Sequence, residues 1–99
     1  MEVFAIKIDV NPEHSLEFTQ TSVEMVRHIQ NEKGNLNTIL YQDINNRNSL
    51  FILTEWEKVE DLNMYMQSDH YKALQWAISD MTHSSAVNLR RFPGRDSPL

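Results

Sequence analysis

Residues 50–74 of the chain, LFILTEWEKVEDLNMYMQSDHYKAL, decide the fold. The stretch begins within a predicted strand, Ser49 to Trp56, that is apolar on both faces. Leu50, Ile52 and Trp56 lie on one face, with Phe51 and Leu53 on the other. A strand of this kind needs cover on both sides. Because helices can cover only one side in a chain of 99 residues, we expect a second subunit to cover the other.

Two helices are predicted after this strand, Val59 to Met66 and Asp69 to Thr82. Ser68 precedes the second helix and is a favourable N-cap residue. On a helical wheel Tyr65 shares a face with its apolar neighbours, so its ring is expected in the core. His70 falls on the wheel with Leu74, Ala77, Ile78, Met81 and Tyr71 and is therefore expected to point inward, whereas Trp76 falls outside this apolar arc.

The remaining segments complete a single domain over residues 1–92. Strand one is predicted from Glu2 to Val10, and a helix from Pro12 to about Glu32, with Asn11 as its cap and Gly34 as its stop. Strand two runs from Asn35 to Asp43, an asparagine-rich turn covers residues 44–48, and strand four runs from Ser84 to Phe92. Residues 93–99 are expected to form a tail. The order βαβ-βααβ is ferredoxin-like, with helices on one face of a four-stranded antiparallel sheet.

Composition excludes several classes of function. The net charge of −5 argues against binding to nucleic acid, and the absence of cysteine excludes disulfides and thiolate chemistry. With Gly34 and Gly94 the only glycines, the chain has no glycine-rich nucleotide-binding motif, and its histidines and carboxylates lack metal-site spacing. We expect no membrane span, and the first ten residues are too short and acidic for a signal peptide, so we expect a cytoplasmic protein.

Two interpretations of His70 remain open from the residues alone. In the first, it is a buried histidine satisfied by a backbone carbonyl. In the second, it is a neutral imidazole in the first turn of its helix, facing an apolar pocket where it accepts a proton or holds a substrate oxygen. Trp56 has the same ambiguity, as a core residue or as a ring that stacks on a planar ligand.

Three features occur in order along the chain: a strand that ends in Glu55-Trp56, Leu62 on the short helix, and an S-x-H-[FY] match at Ser68-Asp69-His70-Tyr71. Together they resemble the antibiotic biosynthesis monooxygenase (ABM) family. The resemblance implies a dimeric α/β barrel, a homodimer of ferredoxin-like domains. Several relatives oxidise phenols or hydroquinones with molecular oxygen and no metal or flavin. The position of Tyr65 often carries histidine in the family, so this chain keeps a hydrogen-bonding group there but lacks the second histidine.

The resemblance also implies which residues form the site. His70 and Tyr65 would be catalytic, with Trp56, Phe4 and Ile6 binding a small aromatic substrate and no cofactor present. A haem-degrading subgroup uses asparagine, tryptophan and histidine where this chain has Lys7, Tyr65 and Gln75, so the resemblance argues against haem. The expected function is a cofactor-independent monooxygenase. The alternatives are a non-catalytic module of the same fold that binds small ligands or protein partners, and a small-molecule isomerase.

Overall fold

The computed structural model describes the backbone of residues 1–93 and the side chains of residues 1–80. Its elements are β1 (Glu2–Val10), α1 (Ser15–Gln30), β2 (Asn35–Gln42), β3 (Ser49–Trp56), α2 (Val59–Met66), α3 (Asp69–Met81) and β4 (Thr82–Pro93). The strands form one antiparallel sheet in the order β2-β3-β1-β4. The predicted α+β, ferredoxin-like architecture is confirmed. None of the helices described is long and apolar enough to cross a membrane.

The core lies between the sheet and the three helices. Strands β1 and β3 pair with Ile6 opposite Ile52 and Phe4 opposite Thr54, so alternate residues of both strands face the helices. This face meets Phe18 and Ile29 of α1 together with apolar residues of α2 and α3. The core residues are almost fully buried: Phe4, Ile6, Ile8, Val10, Phe18, Ile29, Leu50, Ile52, Trp56, Leu62, Tyr65, Tyr71, Leu74 and Ile78.

The opposite face of the sheet has its own apolar rows. Leu53 lies between Ala5 and Ile39 in the register, and Phe51 lies between Lys7 and Tyr41. Phe51 and Leu53 are partly exposed, and the ring of Tyr41, which is 47 % exposed, lies 6.2 Å from that of Phe51 between centroids. The two-faced apolar character predicted for β3 is therefore present, and the helices cover one of its faces.

The start of α1 differs from the prediction. The Asn11 side chain makes no capping hydrogen bond; its backbone carbonyl instead accepts a hydrogen bond from the His14 N–H at 2.9 Å. Pro12 begins a short 3₁₀ turn, Pro12–His14, and α1 starts at Ser15. Proline suits this position because its ring fixes φ and the first turn needs no donor. At the other end α1 stops at Gln30, two residues before the predicted Glu32, with Asn31 as its C-cap. Gly34 has φ +82°, so its predicted left-handed conformation is confirmed, but it lies in the turn that follows and not directly after the helix.

The turn between β2 and β3 closes without the positive φ that asparagine tolerates, since no residue other than glycine has positive φ in the described chain. Side-chain oxygens hold it instead. Asp43 Oδ1 accepts a hydrogen bond from the Asn45 N–H at 2.7 Å, and Asn46 Oδ1 accepts one from the Asn48 N–H at 3.0 Å. These are Asx turns, which fix the backbone two residues further on.

The C-terminal part contains the predicted helix and strand, but the junction between the two differs from the prediction. Helix α3 passes directly into β4, which begins at Thr82, two residues before the predicted Ser84. Strand β4 pairs with β1, and its register shifts between Ile8 and Val10. The predicted tail, residues 93–99, lies outside the described residues except for Pro93 at the end of β4.

Candidate functional site

A cavity of about 210 Å³ opens where α1 meets α2 and α3. Its lining combines apolar side chains with two histidines, a tyrosine and a glutamate: Thr21, Glu24, Met25, His28, Ile29, Tyr65, His70 and Ala73. Both residues that were predicted to be catalytic, Tyr65 and His70, therefore line the same cavity. A mostly apolar cavity with a few converging polar groups is the usual form of a small-molecule site.

Tyr65 is held by aromatic rings on two sides. Its ring stacks on Trp56 with centroids 5.1 Å apart and an interplanar angle of 24°, and it meets the edge of Tyr71 at 5.4 Å. The residue is 2 % exposed, so its predicted place in the core is confirmed. Burial, reinforced by Tyr71 and by the negative charge of Glu32, raises the pKa of Tyr65 well above its ordinary value of 10.0. The hydroxyl is therefore a neutral donor at physiological pH.

Trp56 lies behind Tyr65 and does not line the cavity. It is fully buried, and its indole N–H donates to Thr54 Oγ1 at 2.8 Å. The Thr54 hydroxyl in turn donates to the Phe4 carbonyl at 2.8 Å, which ties the tryptophan to the neighbouring strand β1. Since its polar atom is satisfied within the protein, Trp56 is a rigid support for the Tyr65 ring.

Phe4 and Ile6 are core residues of β1, each 2 % exposed, and they lie beneath the site and not on its surface. The Phe4 ring is 6.1 Å from that of Tyr71 between centroids. Of the five predicted site residues, the structure thus brings Tyr65 and His70 to the cavity and places the other three in the layer that supports it.

The prediction that His70 points into the core is wrong, because 54 % of its side chain is exposed. The helical wheel gave its direction correctly relative to Leu74 and Ile78, which are buried. His70, however, is the second residue of α3, and at this end the helix meets the end of α1 instead of the sheet. Ser68 caps the helix as predicted, its Oγ accepting a hydrogen bond from the Tyr71 N–H at 3.2 Å.

Two neighbours of His70 were missed by the sequence analysis. The Nδ1 atom of His70 lies 2.8 Å from Glu32 Oε1, and its ring lies 4.7 Å from that of His28 between centroids, tilted by 33°. His28 is exposed on α1, and it borders the cavity. The spacing of four between His28 and Glu32, at the end of α1, was the available signal.

No set of three or more histidine, aspartate or glutamate side chains among the described residues has the arrangement of a metal site.

The family model for antibiotic biosynthesis monooxygenase matches residues 1–76 of the chain. A comparison with curated proteins finds no match. Among solved structures, a provisionally named antibiotic biosynthesis monooxygenase from Nitrosomonas europaea superposes with a TM-score of 0.85 at 14 % identity, covering 95 % of this chain and 98 % of that one. A conserved protein from Methanosarcina mazei superposes with a TM-score of 0.84 at 22 % identity, covering 96 % and 94 %.

A third structure, from Bacteroides thetaiotaomicron, is described as a protein of unknown function and a possible oxidoreductase. It superposes with a TM-score of 0.82 at 15 % identity, and the match covers 92 % of this chain and 94 % of that one. At these identities the structures show a shared fold. The family match covers well over half of the sequence, and the chain belongs to the antibiotic biosynthesis monooxygenase family. The resemblance noted in the sequence is thereby confirmed.

The buried hydroxyl of Tyr65 predicts how stability depends on alkaline pH. In the unfolded chain this group loses its proton near pH 10, whereas the folded protein retains it to higher pH. Above about pH 10 the unfolded state binds fewer protons, so the free energy of unfolding should fall as pH rises. In Tyr65→Phe this decline should be smaller, as measured by denaturant titration between about pH 9 and pH 11.5.

Tyr41→Phe is the matched control, because that ring is 47 % exposed. Equal declines for wild type and Tyr65→Phe would contradict the assignment.

Proposed function

We propose that this protein is a monooxygenase that uses molecular oxygen and no cofactor to oxidise a small phenol or hydroquinone in the cavity between α1, α2 and α3. Family membership supports a monooxygenase. One observation supports the more specific proposal: Tyr65 and His70 line the same cavity. The other walls of this cavity include the apolar side chains of Met25, Ile29 and Ala73. This arrangement offers a donor, a base and an apolar surface to a single aromatic ring.

The size of the cavity favours a small aromatic molecule. An engineered protein cavity of about 150 Å³ binds benzene. At about 210 Å³ this cavity is larger than the benzene-binding one, which leaves space for substituents on the ring. The half-exposed His70 lies at its edge, where a ligand can enter from solvent. A substituted single ring fits the volume.

The chemistry depends on removing a proton from the substrate. A phenolate gives up an electron to oxygen far more readily than the neutral phenol does, so proton transfer to His70 would start the reaction. The phenoxyl radical and superoxide then combine to form a carbon–oxygen bond, giving a peroxide anion. His70 returns its proton to this anion, and the resulting hydroperoxide loses water. For a hydroquinone the products are a hydroxyquinone and one water, with all four electrons supplied by the substrate.

Tyr65 would stabilise the substrate as negative charge develops. Because burial keeps its hydroxyl protonated, it can donate a hydrogen bond to a phenolate oxygen. Since Tyr65 lines the cavity, a ligand bound there would lie beside this donor. Trp56, Phe4 and Ile6 would contribute by holding the Tyr65 and Tyr71 rings in place.

We also propose that the chain is a homodimer in which the sheets face each other, the dimeric α/β barrel typical of the family. The supporting observation is the apolar face of the sheet that carries Ile39, Tyr41, Phe51 and Leu53, opposite the helices. Such a face on a small domain is stabilised when a second copy removes it from water.

The dimer predicts a mass in light scattering of twice the 11.7 kDa chain mass. Leu53→Asp places a charge on the open face and should give monomers, because an unpaired charge is costly to bury. Leu16→Asp is the control, since Leu16 is 73 % exposed on α1, on the other side of the sheet. A wild-type monomer at micromolar concentration, or a Leu53→Asp dimer as stable as wild type, would contradict this arrangement.

Oxygen uptake with a panel of hydroquinones, naphthols and anthrones tests the activity. We expect at least one compound to be consumed faster than its spontaneous autoxidation. His70→Ala should then lower kcat/KM by about 10²–10⁴-fold, the usual contribution of a general base. His14→Ala is the matched control, because His14 lies in the 3₁₀ turn away from the cavity.

A loss smaller than about threefold in His70→Ala would remove His70 from the role of base. If no compound is oxidised but one raises the thermal stability, the cavity is a binding site without this chemistry. Conversion of a substrate without oxygen uptake would instead indicate an isomerase.

A further inference from the structure

The contact between Glu32 and His70 has a chemical consequence for the base itself. An ionised carboxylate only accepts hydrogen bonds, so at a separation of 2.8 Å a neutral His70 must carry its proton on Nδ1. The other nitrogen, Nε2, then has a free lone pair. In a neutral imidazole with no such partner, either nitrogen can carry the proton, and a base that has its proton on the substrate-facing nitrogen cannot accept another.

We propose that Glu32 is a positioning residue that holds neutral His70 in the Nδ1–H tautomer, with His28 packed on the face of the ring, so that Nε2 is the atom that accepts the substrate proton. The role of Nε2 as the proton acceptor rests on the proposed function; the assignment of the tautomer does not.

Glu32 is well placed to do this because its own position is fixed. Its backbone N–H donates to the Ile29 carbonyl at 3.0 Å, and its carbonyl accepts a hydrogen bond from the Asn35 N–H at 3.1 Å. The side chain is 24 % exposed, so it is partly shielded from competing water. Screening by water makes most surface ion pairs weak, and partial burial reduces that screening.

Glu32 and His28 restrain the His70 ring in different ways. The carboxylate engages one edge of the ring, and a flip of the imidazole would replace Nδ1 by carbon and lose that hydrogen bond. His28 covers part of the ring face, with centroids 4.7 Å apart. His28 lies in the last turn of α1 and Glu32 lies two residues beyond its end, so both residues that orient this base come from outside its own helix.

The surrounding charges suit the uptake of a single proton. When His70 becomes an imidazolium, Glu32 provides the opposite charge at hydrogen-bond distance. Besides His28, the other ionisable groups at the cavity are Glu24, which pairs with Arg27 at 3.8 Å, and Tyr65, which burial keeps protonated.

The tautomer can be measured directly by long-range ¹H–¹⁵N correlation spectra of the histidine side chains. The full chain is labelled with ¹⁵N and studied about two pH units above 6.5, the ordinary histidine pKa, where neutral rings predominate. His70 is assigned by comparison with His70→Gln. We expect a protonated Nδ1 and a bare Nε2 for His70 in the wild type.

Glu32→Met removes the acceptor while keeping an unbranched side chain, and it should move His70 to the Nε2–H form or to a mixture. Glu17→Met is the matched control, since Glu17 is also a glutamate near a histidine, but its Oε2 is 3.6 Å from His14 Nδ1, too far for a hydrogen bond. It should leave the His70 spectrum unchanged. The melting temperature of each variant checks that it is folded.

An Nε2–H tautomer in the wild type would overturn the proposal, as would an unchanged His70 spectrum in folded Glu32→Met. If the tautomer depends on Glu32 but no phenol is oxidised, the positioning role stands and the proposed function fails. If oxidation is found, folded Glu32→Met should lower kcat by at least about tenfold with KM little changed, since an equivalent wrong-tautomer variant of a serine protease loses about 10⁴-fold. An undiminished kcat would show that Glu32 does not position the base.

Discussion

The site depends on the stacking of Tyr65 on Trp56. Trp56 ends strand β3, and its indole is fixed to the sheet by hydrogen bonds that run through Thr54 to the Phe4 carbonyl. The position of the indole beneath the helices is therefore set by the two central strands, β1 and β3. The Tyr65 ring lies 5.1 Å away and takes its orientation from that surface. Helix α3 adds Tyr71 at the edge of the same ring. The Tyr65 ring is thus held by the sheet and by two helices, and such preorganisation is what the proposed role as a donor to developing charge requires.

Periodicity was sufficient to predict the parts of the structure that pack against the sheet. The bounds predicted for β1, β3 and α2 agree with the structure, because each carries an apolar pattern of clear period between polar or turn-forming residues. The same pattern placed Tyr65 in the core and Trp76, now seen to be 77 % exposed, outside it. The ferredoxin-like order follows from these elements. The family was indicated separately, by the resemblance at Glu55-Trp56, Leu62 and the segment 68–71, and its model matches residues 1–76.

The electrostatic part of the site could not be predicted in this way. A helical wheel gives the direction of a side chain but not what lies opposite it, and His70 faces the end of α1 where a continuous core was assumed. Glu32 follows the last residue of α1 by two positions, so its direction is set by the turn that ends at Gly34 and not by helical period. The β2–β3 turn was predicted because asparagine tolerates positive φ and bonds its own backbone; the structure shows the second property, at Asn46, and not the first. Local sequence predicted a turn in both places without its contacts.

The central claim is that a phenol occupies the cavity beside Tyr65 and His70. Titration of the ¹⁵N-labelled protein with hydroquinone in the absence of oxygen tests this most directly, because binding is then observed without turnover. The account predicts saturable changes in amide chemical shift concentrated at residues that line the cavity, including Met25, Ile29, Tyr65 and Ala73. Shifts concentrated on the opposite face of the sheet, around Tyr41 and Phe51, or no saturable change at millimolar hydroquinone, would contradict it.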